Sequence, residues 1–111
     1  MEKMNVKPAT GKLGVLCVGL GAVTSTFMTG VLMARKGLAK PVGSMTQYDK
    51  MRVGRGENKK YLHYGEIVPL ANLNDIVFGA WDVYPANAYE SAVNAEVLKE
   101  KDINPVKDEL E

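Results

Sequence analysis

Apolar positions gather in two dense runs, Leu13–Val18 and Ile76–Trp81, and in a long segment of apolar and small residues that follows the first run. Leu13-Gly14-Val15-Leu16-Cys17-Val18 is nearly continuous in apolar character, the pattern of a parallel strand covered on both faces. A first strand is therefore expected over Lys12–Val18. Gly19-Leu20-Gly21-Ala22-Val23-Thr24 turns the chain. Val23, Phe27, Val31, Ala34 and Leu38 then fall at i, i+4, i+8, i+11 and i+15, which predicts a helix from about Val23 to Gly37 with that stripe on a sheet. Gly37, after Arg35 and Lys36, suits the position just past the helix end. Gly30 lies mid-helix, either as a tolerated weak spot or as a point where the helix closes on a strand.

The middle of the chain is more polar. Pro41–Gln47 reads as a short extended piece. Asp49–Lys60, with its glycines and charges, reads as a mobile, solvated loop, in which Arg52 and Arg55 are candidates for phosphate contact. Tyr61–Val68 is a second short extended candidate. Asp75–Trp81 is the other strong strand, with Ile76, Val77 and Phe78 in a row. Both strands are expected in one parallel sheet, joined by a connection long enough for a crossover helix. Pro85 suits the opening of a further helix over about Ala86–Lys101, with Ala88, Ala92, Ala95 and Leu98 as its small-residue stripe. Asp102–Glu111 is polar, and Asn104-Pro105 suits the start of one more short helix.

A length of 111 residues allows one small domain. Fourteen basic and thirteen acidic side chains leave a net charge of +1, so no broad field favours nucleic acid. The single cysteine, Cys17, excludes an internal disulfide and fits a reducing, cytoplasmic setting. Its place in an apolar strand marks a buried, inert thiol. His63 is the one histidine, with no second histidine or thiol nearby, and no metal site is expected. Leu13–Ala34 is uncharged over 22 residues, long enough to cross a bilayer. Four glycines and four hydroxyl residues dilute its hydropathy, and no membrane span is expected. Thr24, Ser25, Thr26 and Thr29 sit where a helix N-terminus facing a phosphate would use them.

Strand, glycine turn and helix together place backbone N–H groups against a phosphate. Gly19 suits the tight turn and Gly21 the close approach of backbone to a pyrophosphate; Thr24 stands where the dinucleotide fingerprint has its third glycine. The fingerprint also asks for an acid about 20 residues further on. Nothing acidic lies between Gly21 and Gln47. Asp49 is the first candidate. Asp82, at the end of the second strand, is the other, and on the residues alone it reads equally as a turn or helix-capping aspartate.

Leu13–Phe27, Gly43-Ser44-Met45-Thr46-Gln47, Arg52-Val53-Gly54 and above all Asp75-Ile76-Val77-Phe78-Gly79-Ala80-Trp81-Asp82 resemble the N-terminal part of the inositol-3-phosphate synthases, also called myo-inositol-1-phosphate synthases. The order and spacing of the blocks are similar from about Leu13 to Leu98. Val23 and Thr24 stand where the family typically has paired asparagines. The resemblance implies an α/β fold, a partial Rossmann-type parallel sheet with helices on both faces. Residues 1–11, polar with Pro8 and Gly11, read as a loose arm, and the resemblance implies an NAD-binding unit over 12–111. It implies an isomerase that turns glucose 6-phosphate into inositol phosphate: NAD oxidises a sugar hydroxyl, an aldol step closes the ring, and NADH reduces the ketone.

By the same resemblance, Gly19, Gly21, Ala22, Val23 and Thr24 match positions at the NAD pyrophosphate, and Asp82 matches an aspartate contacting the cofactor. The family's catalytic lysines lie beyond the matching segment. This chain is therefore expected to be a piece of a longer enzyme, inactive alone, from a homo-oligomer that is a tetramer in the family. Two alternatives stand beside it. One is another NAD(P)-dependent oxidoreductase, or a nucleotide-binding module without chemistry, with Asp49 on the ribose. The other is a small membrane-anchored protein.

Overall fold

The computed structural model describes Lys7 and residues 10–111. The expected arm over 1–11 lies, apart from Lys7, Thr10 and Gly11, outside the described residues. Leu13–Val18 forms strand β1 and Ala22–Arg35 helix α1. Met45–Tyr48 (α2), Lys50–Val53 (β2), Lys60–His63 (β3) and Tyr64–Ile67 (α3) are short elements beyond it. Ile76–Trp81 is β4 and Ala88–Ala95 is α4. Two helical turns, Glu100–Ile103 (α5) and Lys107–Leu110 (α6), close the chain around a 3₁₀ turn at Asn104–Val106.

β1 and β4 pair in parallel, from Leu13 opposite Ile76 to Val18 opposite Trp81. The α/β class and the parallel pair stand as expected. Burial on both faces does not. Val15, Cys17, Phe78 and Ala80 are half-buried, and the last three pack against the helical core. Alternate positions Leu16, Val18, Val77 and Trp81 are exposed, Val18 at 78%. A two-stranded sheet has no further strand on either edge, and α1 and α4 cover one face of it. A continuous apolar run therefore has only every second side chain in contact.

Helix α1 starts at Gly21 and ends in a Schellman motif. Gly37 has φ +70°; its N–H donates to the Ala34 carbonyl at 3.1 Å, and Leu38 N–H donates to Met33 at 3.0 Å. The buried face matches the expected stripe only in part: Val31 is buried and Ala34 half-buried, but Val23, Phe27 and Leu38 are not. Ser25, Met28, Thr29, Val31 and Leu32 are buried, whereas Val23 is 83% and Phe27 45% exposed. The helix is apolar on several sides, and packing selected the Met28–Leu32 side. Phe27 stacks edge-on against Phe78 at 5.4 Å between centroids. At the far end Arg35 Nε donates to the Leu73 carbonyl at 2.6 Å and its Nη2 to the Ile76 carbonyl, tying the helix end to the start of β4. Nothing lies within 4 Å of a Cβ built on Gly30, so the tolerated weak spot is the reading that holds.

The core was not where the polar tail suggested. Met28 and Leu32 pack with Ala92, Ile103, Val106 and Leu110, the last three from 102–111, and Ile103 and Val106 are 1% and 0% exposed. Lys36 Nζ fastens this tail, bonding the Pro105 carbonyl at 2.8 Å and Glu109 at 2.6 Å. The helix expected at 86–101 is shorter. Pro85 precedes it, Asn87 caps it by accepting Glu90 N–H at 2.8 Å, and it stops where Glu96 turns left-handed at φ 56°. Its Ala92 is buried and Ala88, Ala95 and Leu98 half-buried, as the stripe predicted.

Two loop expectations are corrected. Lys50–Val53 and Lys60–His63 form an antiparallel hairpin inside the stretch expected as a loop and extended piece. Met51 and Val53 alternate with Lys50 and Arg52 at the two-residue period of a strand. Pro41–Gln47 is not extended. The Pro41 carbonyl accepts Ser44 N–H at 2.9 Å to make a turn, and α2 follows from Ser44. No helix among the described residues is long and apolar enough to cross a membrane.

Candidate nucleotide site

The C-terminal ends of β1 and β4 lie side by side because the pairing is parallel and in register, so whatever follows each strand meets the other. The Gly19 N–H extends the ladder by one bond, to the Trp81 carbonyl at 2.8 Å. Gly19 has φ +96°, where an L side chain is strained, and this lets the chain turn at once into α1. The next amide, Leu20 N–H, donates to Asp82 Oδ2 at 2.7 Å. Asp82 Oδ1 accepts Tyr84 N–H at 3.3 Å, the two-residue step of an aspartate turn. The Leu20 N–H first, and the Tyr84 N–H after it, hold the Asp82 carboxyl below the usual carboxylate range. Asp82 thus joins the glycine turn and shapes its own turn before Asn87.

Gly21 begins α1 with φ −103° and no side-chain cap, and the first turn holds no acid. The amides of Ala22, Val23 and Thr24 have no intrahelical acceptor, by helix geometry, and face the positive end of the helix dipole. Nothing lies within 4 Å of a Cβ built on Gly21. An open, uncapped helix start with no acid in its own first turn is suited to an anion, and a pyrophosphate fits that donor set. Three of the four hydroxyls, those of Ser25, Thr26 and Thr29, turn back onto the helix instead of toward a phosphate. Ser25 bonds the Gly21 carbonyl at 2.7 Å, Thr26 the Ala22 carbonyl at 2.6 Å and Thr29 the Ser25 carbonyl at 2.7 Å. Hydroxyls inside a helix satisfy themselves on the preceding turn.

Gly21 and Asp82 line one cleft of about 250 Å³, with Leu20, Tyr84, Ala86, Ser91, Asn94 and Ala95. Val23 and Thr24 are in the adjoining first turn of α1, outside the lining, and Val23, with no polar side-chain atom, can contact a ligand by hydrogen bond only through its backbone. Asp49 is elsewhere. It ends α2, whose Thr46 and Gln47 border Ala34 and Arg35 at the opposite end of α1, about 21 Å along a helix of this length. Arg52 lies in the hairpin opposite Tyr61 and Arg55 just after it, and His63 borders the same far cleft as Arg35. Sequence reasoning missed Leu20, Ser91 and Asn94. The last two, with Ala95, sit at i, i+3 and i+4 on α4, a spacing that could have placed them together. Among the described residues no group of histidine, cysteine and acidic side chains could hold a metal.

A family model described as myo-inositol-1-phosphate synthase, an NAD-binding one, matches residues 13–111. The chain belongs to this family. It is 60% identical over 110 residues to inositol-3-phosphate synthase 1 of Bacteroides thetaiotaomicron, covering 98% of this chain and 25% of that protein. It is 37% identical over 99 residues to inositol-3-phosphate synthase 1 of Oryza sativa subsp. japonica, covering 78% of this chain and 19% of that one. The crystal structure of inositol-3-phosphate synthase from Caenorhabditis elegans superposes with a TM-score of 0.75 at 26% identity, over 95% of this chain and 23% of that one. The chain spans about a quarter or less of the length of these synthases. Membership in the synthase family decides against an unrelated oxidoreductase, and its cofactor is NAD.

Proposed function

We propose that residues 12–111 are the opening part of the NAD-binding unit of an enzyme that isomerises glucose 6-phosphate to myo-inositol phosphate. The observation that carries this is the 2.7 Å bond from Leu20 N–H to Asp82 Oδ2. It joins the glycine turn to the end of the Asp75–Asp82 block, the stretch with the most specific resemblance, at the mouth of an uncapped helix. In this reading Gly19 makes the turn, Gly21 admits the pyrophosphate, and the backbone of Ala22, Val23 and Thr24 donates to it. Asp82 lies beside the same cofactor. Bound NAD supplies reversible hydride acceptance, which makes a sugar C–H acidic next to the oxidised carbon. This chain's part is to bind and orient. Among the described residues no lysine lines the cleft at the glycine turn. The enzyme is proposed to be cytoplasmic and to assemble as a homotetramer, on the family resemblance.

Replacing Gly21 with valine tests the assignment. Its φ is in the ordinary region and its surroundings are open, so the fold should persist. The added side chain stands where pyrophosphate meets backbone. Titration with NAD, followed by NMR, should show weaker binding than in the natural chain. Unchanged affinity in a folded Gly21→Val variant would refute the site.

A further inference from the structure

Two consecutive amides of the glycine turn are held by two consecutive residues at the end of β4. Gly19 N–H goes to the Trp81 carbonyl and Leu20 N–H to the Asp82 carboxylate, across 62 residues of chain. The first bond is an ordinary continuation of a parallel ladder. The second is not available to backbone alone, because β4 has ended and the chain is turning toward Tyr84. Both carboxylate oxygens face backbone N–H groups, Leu20 on one and Tyr84 on the other. The turn they hold passes through Gly19 in the left-handed region, which glycine enters freely and leaves as freely. Such a turn has many conformations unless something outside it selects one.

We propose that Asp82 is a positioning residue: it latches the β1–α1 turn to the end of β4 and so presets the open amides of Ala22, Val23 and Thr24 for a diphosphate before any ligand arrives. This rests on the reading of the turn as the cofactor site. The physical advantage is preorganisation, since a turn ordered beforehand loses less entropy on binding. The charge also matters. A carboxylate near a pyrophosphate repels it, and engagement by two amide dipoles offsets part of that repulsion.

The test reads the turn first without ligand and then with NAD, in the 111-residue chain and in Asp82→Ala and Asp82→Asn variants. Asparagine keeps one carbonyl acceptor for Leu20. Without ligand, Leu20 amide exchange should quicken by about tenfold or more in Asp82→Ala and by less in Asp82→Asn. The amides of β1 should keep their protection, and NAD affinity should fall in the same order. In the natural chain the Leu20 amide shift should follow a carboxylate titrating below the usual range. Because the folded value is lowered, the latch holds above the ordinary carboxylate range and is lost as pH falls through the lowered value.

Weaker NAD binding with an unchanged ligand-free turn would overturn the latch and make Asp82 a direct contact only. A loosened turn with unchanged NAD affinity would keep the latch and overturn the reading of the turn as a cofactor site. Should Asp82→Ala fail to fold, Asp82→Asn and the pH titration decide: a Leu20 shift that stays indifferent as pH falls through and below the ordinary carboxylate range overturns the latch.

Discussion

Replacing Ile103 with alanine measures how far the C-terminal turns hold α1 in place. Ile103 is 1% exposed and belongs to the cluster of Met28, Leu32, Ala92, Val106 and Leu110. Three carbons are removed from a site walled by two helices and the tail, so the surroundings can collapse only in part. Substitutions of this kind cost about 2–5 kcal/mol, transfer and cavity terms together. An ordinary domain has about 5–15 kcal/mol to lose. Here one sheet face is open, which places the chain toward the lower end. At about 4–8 °C per kcal/mol for a chain of this size, even the smallest loss lowers Tm by about 8–16 °C. Urea unfolding followed by far-UV circular dichroism, with Trp81 fluorescence as a second probe at the end of β4, gives the difference. Val23→Ala is the control. Val23 is 83% exposed, and its truncation should change stability by less than about 0.5 kcal/mol. Equal losses in the two variants would refute the assignment of the buried face of α1 and the docking of the tail onto it.

Gly30→Ala should stabilise the chain by about 0.5–1 kcal/mol, since an alanine meets nothing and removes unfolded-state freedom; a lower Tm would show that the helix is packed closely there. The Lys36 ammonium bonded to Glu109 holds that carboxyl below its ordinary value, so its contribution is present above the ordinary glutamate range and lost as pH falls through the lowered value. Acid titration of the tail resonances should therefore show undocking begin in that window, and Glu109→Gln should flatten the dependence; an unchanged profile would refute it. The purified chain, given glucose 6-phosphate and NAD, should form no inositol phosphate, because the carboxylate at its glycine turn, Asp82, is engaged by the Leu20 and Tyr84 amides, and enolisation and aldol closure need a positioned acid–base set. Turnover beyond a host-enzyme control, measured by phosphate-resolved chromatography, would place the catalytic groups within these residues.

Local features were legible because they depend on neighbours in sequence. The two apolar runs became the parallel pair, Gly19 the turn and Gly37 the helix stop, each through backbone preferences that a few residues settle. The family resemblance was legible for the same reason, since Asp75–Asp82 is a contiguous block. Tertiary structure decided what depends on partners. Val23 and Phe27 on one side and Met28 and Leu32 on another offer apolar faces of one helix, and periodicity cannot choose between them; contact with Ile103, Val106 and Leu110 did. Those three were hidden among charged residues in turns too short to show a period. The hairpin was masked by the lysines and arginines that alternate with Met51 and Val53. The hydroxyls of Ser25, Thr26 and Thr29 turned back onto carbonyls one helical turn away, because that satisfies them without a ligand. Asp82 had two equal readings on its residues alone. Parallel pairing brought its carboxylate to the Leu20 amide, a bond between residues 62 apart that no spacing in the chain announces, and so placed a turn aspartate at the candidate site.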